Sequence, residues 1–124
     1  MRLDGKTALV TGGGSGFGAG IARKFAAEGA RVVVADINAD AARSVAAEIG
    51  GIAVMVDVSD NASVAALAYE AADALGDIDI LVNNAGIVNF APIGSYTPEQ
   101  WDAVIAVNLT GVFNGIWASV DAMK

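Results

Sequence analysis

Two spacings of apolar residues alternate along the chain. Short continuous runs rich in Val and Ile are separated by Ala-rich stretches in which apolar residues recur every three or four positions. Continuous runs of this length are typical of strands covered on both faces, and the longer spacing is typical of helices that bury one side. The pattern predicts four strands, at Lys6–Thr11, Arg31–Asp36, Ile52–Val58 and Ile78–Asn83.

A helix is predicted after each strand, and local signals mark its ends. We expect Asn38, Ser59 and Thr97 each to cap the start of a helix, and glycines follow the predicted ends of the first three helices. The residues expected to face the core are Phe17, Ile21 and Phe25 in the first helix, Ala42, Val45, Ala46 and Ile49 in the second, and Val64, Leu67, Ala71 and Leu75 in the third.

The last helix has the clearest start signal. Thr97 is followed by Pro98 and, three positions on, by Gln100, which is the pattern of a capping box with proline in the first turn. We expect this helix to run to the C terminus. Because glycine weakens a helix interior, a break is expected near Gly111 or Gly115.

Strict alternation of strands and helices predicts an α/β fold with a parallel sheet, whose crossovers are right-handed. At 124 residues, with no linker, repeat or low-complexity segment, the chain is expected to form one domain, 1–124. Its hydrophobic fraction of 55% is high, and Ala and Gly supply much of it. Small residues of this kind indicate close packing of the helices on the sheet.

The composition excludes several classes of function. The chain has no Cys and no His, so we expect no disulfide, no thiolate nucleophile, no metal site of the usual zinc type and no imidazole acid–base chemistry. A net charge of −7 argues against nucleic acid as a partner. No uninterrupted apolar run approaches the roughly 18 residues that span a bilayer, and the start lacks a signal-peptide pattern. We therefore expect no membrane partner and a cytoplasmic location.

A glycine-rich loop lies between the first strand and the first helix. Glycine permits positive φ and close approach of a ligand, and a helix start offers free N–H groups, so this position suits phosphates. A tight turn without a ligand is the alternative explanation. Three patterns overlap here: Gly14, Gly16 and Ala19 fit the dinucleotide fingerprint, Gly14, Gly16 and Gly18 fit a pattern shared with S-adenosylmethionine-dependent methyltransferases, and Thr11-Gly12-x-x-x-Gly16-x-Gly18 is a longer motif.

Asp36 ends the second predicted strand, twenty positions after Gly16. A carboxylate at this point accepts both ribose hydroxyls of NAD and would repel the 2′-phosphate of NADP. No Lys or Arg follows at Ile37 or Asn38, and Ser15 rather than a basic residue precedes Gly16. The prediction is therefore NAD rather than NADP, and a solvated Asp at a strand end is the alternative.

Four motifs in order resemble the short-chain dehydrogenase/reductase family over the whole chain. They are Thr11-Gly12-x-x-x-Gly16-x-Gly18 after the first strand, Asp57-Val58 after the third, Asn83-Asn84-Ala85-Gly86 after the fourth, and Asn108 within Val-Asn-Leu of the last helix. The resemblance implies a Rossmann-type three-layer fold with strand order 3-2-1-4 and helices on both faces, ending before a fifth strand. It also implies an NAD-dependent oxidoreductase acting on a small alcohol or carbonyl substrate.

The resemblance implies roles for single residues. Asp57 would contact the adenine, the stretch after the fourth strand would support the sheet and line the ribose, and Asn108 would hold a water in a proton relay. The alternatives are a helix cap for Asp57 and a core amide bonded to a loop carbonyl for Asn108. The expected cofactor-binding residues are Gly12, Gly14, Ser15, Gly16, Phe17, Gly18, Asp36, Ile37, Asp57, Val58, Asn83, Ala85 and Gly86, with Asn108 as the one catalytic residue.

The family's catalytic Ser and Tyr-x-x-x-Lys pair have no counterpart in the 124 residues. Tyr69 and Tyr96 are followed four positions later by Asp73 and Gln100. In the family the Tyr exchanges the proton at the substrate oxygen and the Lys lowers its pKa. We therefore expect the chain to bind cofactor but to lack dehydrogenase activity, as the front half of a longer protein.

Two other functions stay open on the sequence alone. One is a non-catalytic nucleotide-binding module, and the other is a methyltransferase, which leaves Asn83–Gly86 unexplained. The substrate is not identified, and only Ile87–Tyr96 would approach it. The fourth strand would lie at the sheet edge and the last helix would be partly uncovered, so self-association through either surface is expected.

Overall fold

Four parallel strands form one sheet in the order β3-β2-β1-β4. The structure, a computed structural model, describes residues 1–87 and 91–124. The strands are β1 (Thr7–Thr11), β2 (Arg31–Asp36), β3 (Ile52–Met55) and β4 (Ile80–Val82). The helices are α1 (Gly16–Ala27), α2 (Ala39–Ile49), α3 (Asn61–Leu75), α4 (Pro98–Ile105) and α5 (Gly111–Met123), with a 3₁₀ turn at Ile93–Ser95.

Strand β1 lies at the centre of the sheet and pairs in register on both sides. Val10 lies opposite Val34 of β2 and Val82 of β4. Because successive side chains of a strand point to opposite faces, Leu9 and Val33 pack with α3 on one face, and Val10 and Val34 pack with α1 and α2 on the other. Helices on both faces and the observed strand order confirm the predicted Rossmann-type fold.

The capping predictions are confirmed at two helices and wrong at one. The Asn38 side chain accepts the N–H of Ala41 at the start of α2, and the reciprocal capping box of Thr97 opens α4. Ser59 does not cap α3. Asp60 does so instead, and the Ser59 hydroxyl donates to Asp57.

Phe17 does not face the core, contrary to the prediction from helical spacing. Its side chain is 89% exposed, whereas Ile21 and Phe25 pack, partly buried, against the α1–α2 side of the core. Each step of four residues turns a side chain by about 40° around a helix of 3.6 residues per turn. Phe17 has therefore rotated away from the stripe that Phe25 defines.

Three strands are shorter than predicted, and β1 differs only in beginning at Thr7 rather than Lys6. Strand β3 ends at Met55 rather than Val58, although the N–H of Val56 still donates to the carbonyl of Asp36. Strand β4 begins at Ile80, and the predicted first residue, Ile78, is a buried core residue outside the strand. The apolar residues Val56, Val58 and Ile78 extended the predictions for β3 and β4. They belong to the core but lie outside the two strands.

The last helical stretch is not interrupted at a glycine. A π-helical segment, Ala106–Thr110, joins α4 to α5, and the residues at the two junctions keep right-handed helical dihedral angles. The wider turn takes the place of the predicted break. It ends where Gly111 begins α5.

The stretch Pro98–Met123 is long and apolar enough, by length and composition only, to cross a membrane. The expectation from uninterrupted apolar runs did not include it, because polar residues are scattered along it. In its most apolar window, 22% of the residues are buried. Core helices outside membranes meet the same criterion, so the observation identifies an apolar helix with a largely uncovered face.

Candidate functional site

A cleft of about 380 Å³ opens beyond the carboxyl ends of the strands. The direction of strand order reverses between β1 and β4, which is where open parallel sheets bind ligands. The cleft is lined by Gly12, Ser15, Phe17, Asp36, Ile37, Val56, Asp57, Val58, Asn84, Ala85, Gly86, Ile87 and Val107.

Close packing requires glycine at Gly12 and Gly18, which lie against the loop after β4. Gly12 has φ +64°, and a Cβ atom there would lie 2.9 Å from the Cα of Ala85. A Cβ on Gly18 would lie 2.1 Å from the carbonyl oxygen of Gly12 and 2.5 Å from Nδ2 of Asn84. These contacts hold the start of α1 against the loops that follow β1 and β4.

The start of α1 has a different environment. Gly16 has φ +56°, and apart from its chain neighbours and its own helix no atom of the described residues lies within 4 Å of the position of its Cβ. Ser15 makes no side-chain cap hydrogen bond, and the first turn of α1 has no acidic residue. Since the first N–H groups of a helix lack intrahelical partners, the start of α1, where Ser15 and Phe17 line the cleft, carries free N–H groups and the positive end of the helix dipole.

The carboxylate of Asp36 lies beside the glycine loop. Its Oδ2 accepts the N–H of Gly14 and its Oδ1 accepts the N–H of Asn38, both at 2.9 Å. A Cβ on Gly14 would lie 2.9 Å from that Oδ2 and 2.8 Å from the Cβ of Ala41. A carboxylate has about four lone-pair sites, so Asp36 retains acceptor capacity toward the cleft that it lines.

A hydrogen-bond network joins the loops after β1 and β4. The Thr11 hydroxyl donates to the carbonyl of Val82 at 3.3 Å and accepts the N–H groups of Asn84 and Ala85 at 3.1 and 3.2 Å. The Asn84 amide donates to the carbonyls of Thr11 and Gly12, each at 3.2 Å. The motif pointed to an asparagine after β4, but the expected site residues omitted Asn84.

Asn83, the predicted site residue next to it, lies outside the lining of the cleft. A Cβ on Gly115 would lie 2.4 Å from its Oδ1, so this side chain lies against α5. Two successive residues of an extended segment point to opposite sides, and the sequence does not tell which of the two asparagines faces the cleft. Ala85 and Gly86 of the same motif line it.

Asp57 and Val58 follow β3 and form part of the cleft wall. Oδ1 of Asp57 accepts both the N–H and the hydroxyl of Ser59, at 3.0 and 2.6 Å, and the N–H of Asp57 donates to the hydroxyl of Ser63 at 3.0 Å. The carboxylate therefore shapes the turn before α3 without being that helix's cap. The side chain of Val58 is buried.

Asn108 lies in the π-helical segment and holds the loop after β4. Its Oδ1 accepts the N–H of Ile87 and its Nδ2 donates to the carbonyl of Ile87, both at 2.9 Å. It is exposed rather than a core amide. The predicted substrate stretch Ile87–Tyr96 begins here, and its residues 88–90 lie outside the described residues.

No group of three or more acidic, His or Cys side chains able to hold a metal ion occurs within residues 1–87 and 91–124. The polar side chains that line the cleft are instead the Ser15 hydroxyl, the Asn84 amide and the separate carboxylates of Asp36 and Asp57. Such a set suits an organic ligand with phosphates and hydroxyls.

The sequence model of the short chain dehydrogenase family matches residues 6–124. Among similar proteins, the sorbitol dehydrogenase of Cereibacter sphaeroides is 48% identical over 99% of this chain and 49% of its own length. The D-threitol dehydrogenase of Mycolicibacterium smegmatis is 47% identical over 91% of this chain and 45% of its own. The chain thus spans about half the length of these curated relatives.

A solved structure has the same fold over nearly the whole of this chain. The 3-ketoacyl-(acyl-carrier-protein) reductase from Brucella melitensis, complexed with NADH, superimposes with a TM-score of 0.95 at 42% sequence identity. The match covers 97% of this chain and 51% of that one. Similarity in both sequence and structure therefore extends over nearly all of the 124 residues.

The contrast between Gly18 and Gly20 within α1 tests the packing of the loop. Gly18→Ala is expected to lower the free energy of unfolding by about 1–3 kcal/mol, because its methyl would overlap the Gly12 carbonyl. Gly20 has no atom within 4 Å of its Cβ position, so Gly20→Ala is expected to raise that free energy by about 0.5–1 kcal/mol through helix propensity. Urea unfolding followed by circular dichroism measures both, and equal effects would contradict the packing argument.

Proposed function

Since the chain belongs to the short chain dehydrogenase family, we propose that its cleft binds NAD as the nicotinamide cofactor of an oxidoreductase. The observation that carries the choice of NAD is the carboxylate of Asp36 at the end of β2, beside the glycine loop. No Lys or Arg is among the described residues that line the cleft. A carboxylate without a nearby cation favours the free ribose hydroxyls of NAD over the phosphate of NADP.

The residues of the cleft fit a dinucleotide. The open space above Gly16 and the uncovered first turn of α1 suit the pyrophosphate, because N–H groups and the helix dipole attract anions. Phe17 and Ile37 are exposed and line the cleft, where they offer apolar contact. This combination favours a dinucleotide over a tight turn without a ligand.

The remaining predicted residues have proposed roles in binding. Gly12, Gly14 and Gly18 shape the loop, and Asp57 and Val58 hold the adenine. Ala85 and Gly86 line a ribose, and Asn83 supports the sheet from the α5 side. When bound, NAD supplies a hydride acceptor, and its reduced form supplies a hydride donor. The dehydrogenase names of the relatives support an alcohol or carbonyl substrate.

Asn108 is proposed to act by holding Ile87 beside the substrate region, and its place next to that loop supports a part in proton transfer. The family match favours this oxidoreductase over the methyltransferase alternative. A non-catalytic nucleotide-binding module stays the second candidate. No Tyr-x-x-x-Lys pair occurs within these 124 residues, so this stretch by itself is expected to bind rather than to catalyse.

Self-association is proposed through the uncovered face of α5 and the edge of β4. Exposed apolar side chains repeat at helical spacing along one face, as expected for a surface that packs against a partner. These residues are Leu109, Phe113, Ile116, Trp117, Val120 and Met123.

Removal of the Asp36 carboxylate tests the choice of cofactor. In Asp36→Ala the ratio of the NADP to the NAD dissociation constant is expected to fall by at least about tenfold. The substitution removes the carboxylate that accepts the ribose hydroxyls of NAD and repels the 2′-phosphate of NADP. Calorimetric titration measures both constants on one sample, so partial unfolding cancels from the ratio. Asp40→Ala is the matched control, since Asp40 pairs with Arg43 on the surface of α2. An unchanged ratio in Asp36→Ala would refute the proposed ribose contact.

The 124-residue polypeptide is expected to bind NAD without oxidising an alcohol. Neither of its tyrosines has a lysine four positions on, so the substrate oxygen has no matched general base. The absorbance of NADH, followed after mixing with NAD and a polyol such as sorbitol, measures the reaction. Steady formation of NADH above a protein-free blank would overturn this part of the proposal.

Charges placed on the exposed α5 face are expected to produce monomers. Light scattering at tens of micromolar should give an oligomer for the unaltered chain and a smaller mass for Phe113→Glu combined with Trp117→Glu, because buried charge is costly. Phe17→Glu is the control, since Phe17 is exposed beside the cleft instead. A monomeric unaltered chain would contradict self-association.

A further inference from the structure

Asn114 is a buried amide on the inner side of α5, with only 3% of its surface exposed. Its Nδ2 donates to the carbonyl of Val58 at 2.9 Å, and its Oδ1 accepts from Nδ2 of Asn61 at 3.1 Å. A buried amide without partners costs free energy, so these two bonds determine its orientation. No sequence motif indicated Asn114 as a functional residue.

The partner of Asn114 belongs to the wall of the cleft. Beyond Met55 the chain leaves β3, and the segment from Val56 to Val58 lines the cleft outside the strand. Side chains and α5 hold its backbone there: Ser63 accepts the N–H of Asp57, and Asn114 donates to the carbonyl of Val58. The bond from α5 spans 56 positions of sequence.

Gly111 contacts the same residue one turn earlier on α5. A Cβ there would lie 2.8 Å from Cγ2 of Val58 and 3.4 Å from its carbonyl oxygen. Gly111 therefore sets how closely α5 approaches Val58, and Asn114 holds the carbonyl of Val58 by a hydrogen bond. Helix α5 thus fixes the position of this cleft residue by one packing contact and one hydrogen bond.

From these contacts we propose that Asn114 is a positioning residue that sets the place of the Asp57–Val58 wall and thereby the selection of adenine as the base. The inference rests on the proposed function. A carboxylate only accepts hydrogen bonds, and the exocyclic amine of adenine donates them. Hypoxanthine carries a carbonyl oxygen at that position, which a carboxylate rejects. Movement of the wall would weaken this discrimination.

The test compares NAD with nicotinamide hypoxanthine dinucleotide, which differs only in the base. Dissociation constants are measured by calorimetry for the unaltered 124-residue chain and for two variants. Asn114→Leu removes the hydrogen bond to the Val58 carbonyl, and Gly111→Ala adds a methyl group that would displace Val58. The preference for NAD is expected to fall about threefold to tenfold in both variants, the range of one neutral hydrogen bond. Ser119→Ala is the control, since Ser119 is an equally buried polar residue of α5 beside β4.

The preference is a ratio measured on one sample, so loss of some folded protein does not change it. If Asn114→Leu does not fold, Gly111→Ala alone decides. An unaltered preference in the folded variants, or an equal fall in Ser119→Ala, would overturn the inference while leaving NAD binding intact. If the unaltered chain binds neither dinucleotide, the proposed function itself fails.

Discussion

The hydrogen bonds between Thr11 and Asn84 join the loops that follow β1 and β4, and the cleft depends on them. They form only because backbone lies against backbone, with no room for a Cβ atom on Gly12 or Gly18. This close approach brings the start of α1 to the point where strand order reverses. Ser15 and Phe17 at that helix start line the cleft, and a helix start carries N–H groups without intrahelical partners.

A carboxylate and an anion-attracting helix start lie side by side in this arrangement. Asp36 accepts the N–H groups of Gly14 and Asn38, so its side chain is held in place by the turns that flank it. The protein as a whole carries a charge of −7, whereas the positive end of the α1 dipole lies at the glycine loop. The local charge at the proposed site therefore differs in sign from the net charge.

The long C-terminal helical stretch contacts two residues that line the cleft, Ile87 and Val58. Its π-helical segment places Asn108 against the backbone of Ile87, and the following turns place Gly111 and Asn114 against Val58. The opposite face of α5 is apolar and uncovered. The same helical stretch thus holds Ile87 and Val58 of the cleft on one side and leaves apolar side chains exposed on the other.

Local patterns in the sequence determined the order of the elements and the Asn38 and Thr97 caps, because each depends on residues within a turn or two. The strict alternation of these elements then predicted the parallel sheet and the place of the cleft. Tertiary contacts decided that Asn84 faces the cleft, that β3 ends at Met55 and that Phe17 is exposed. The Asn84 bond spans 73 positions, and no local pattern records which side chain will meet a carbonyl that distant. Packing across the sheet makes that choice.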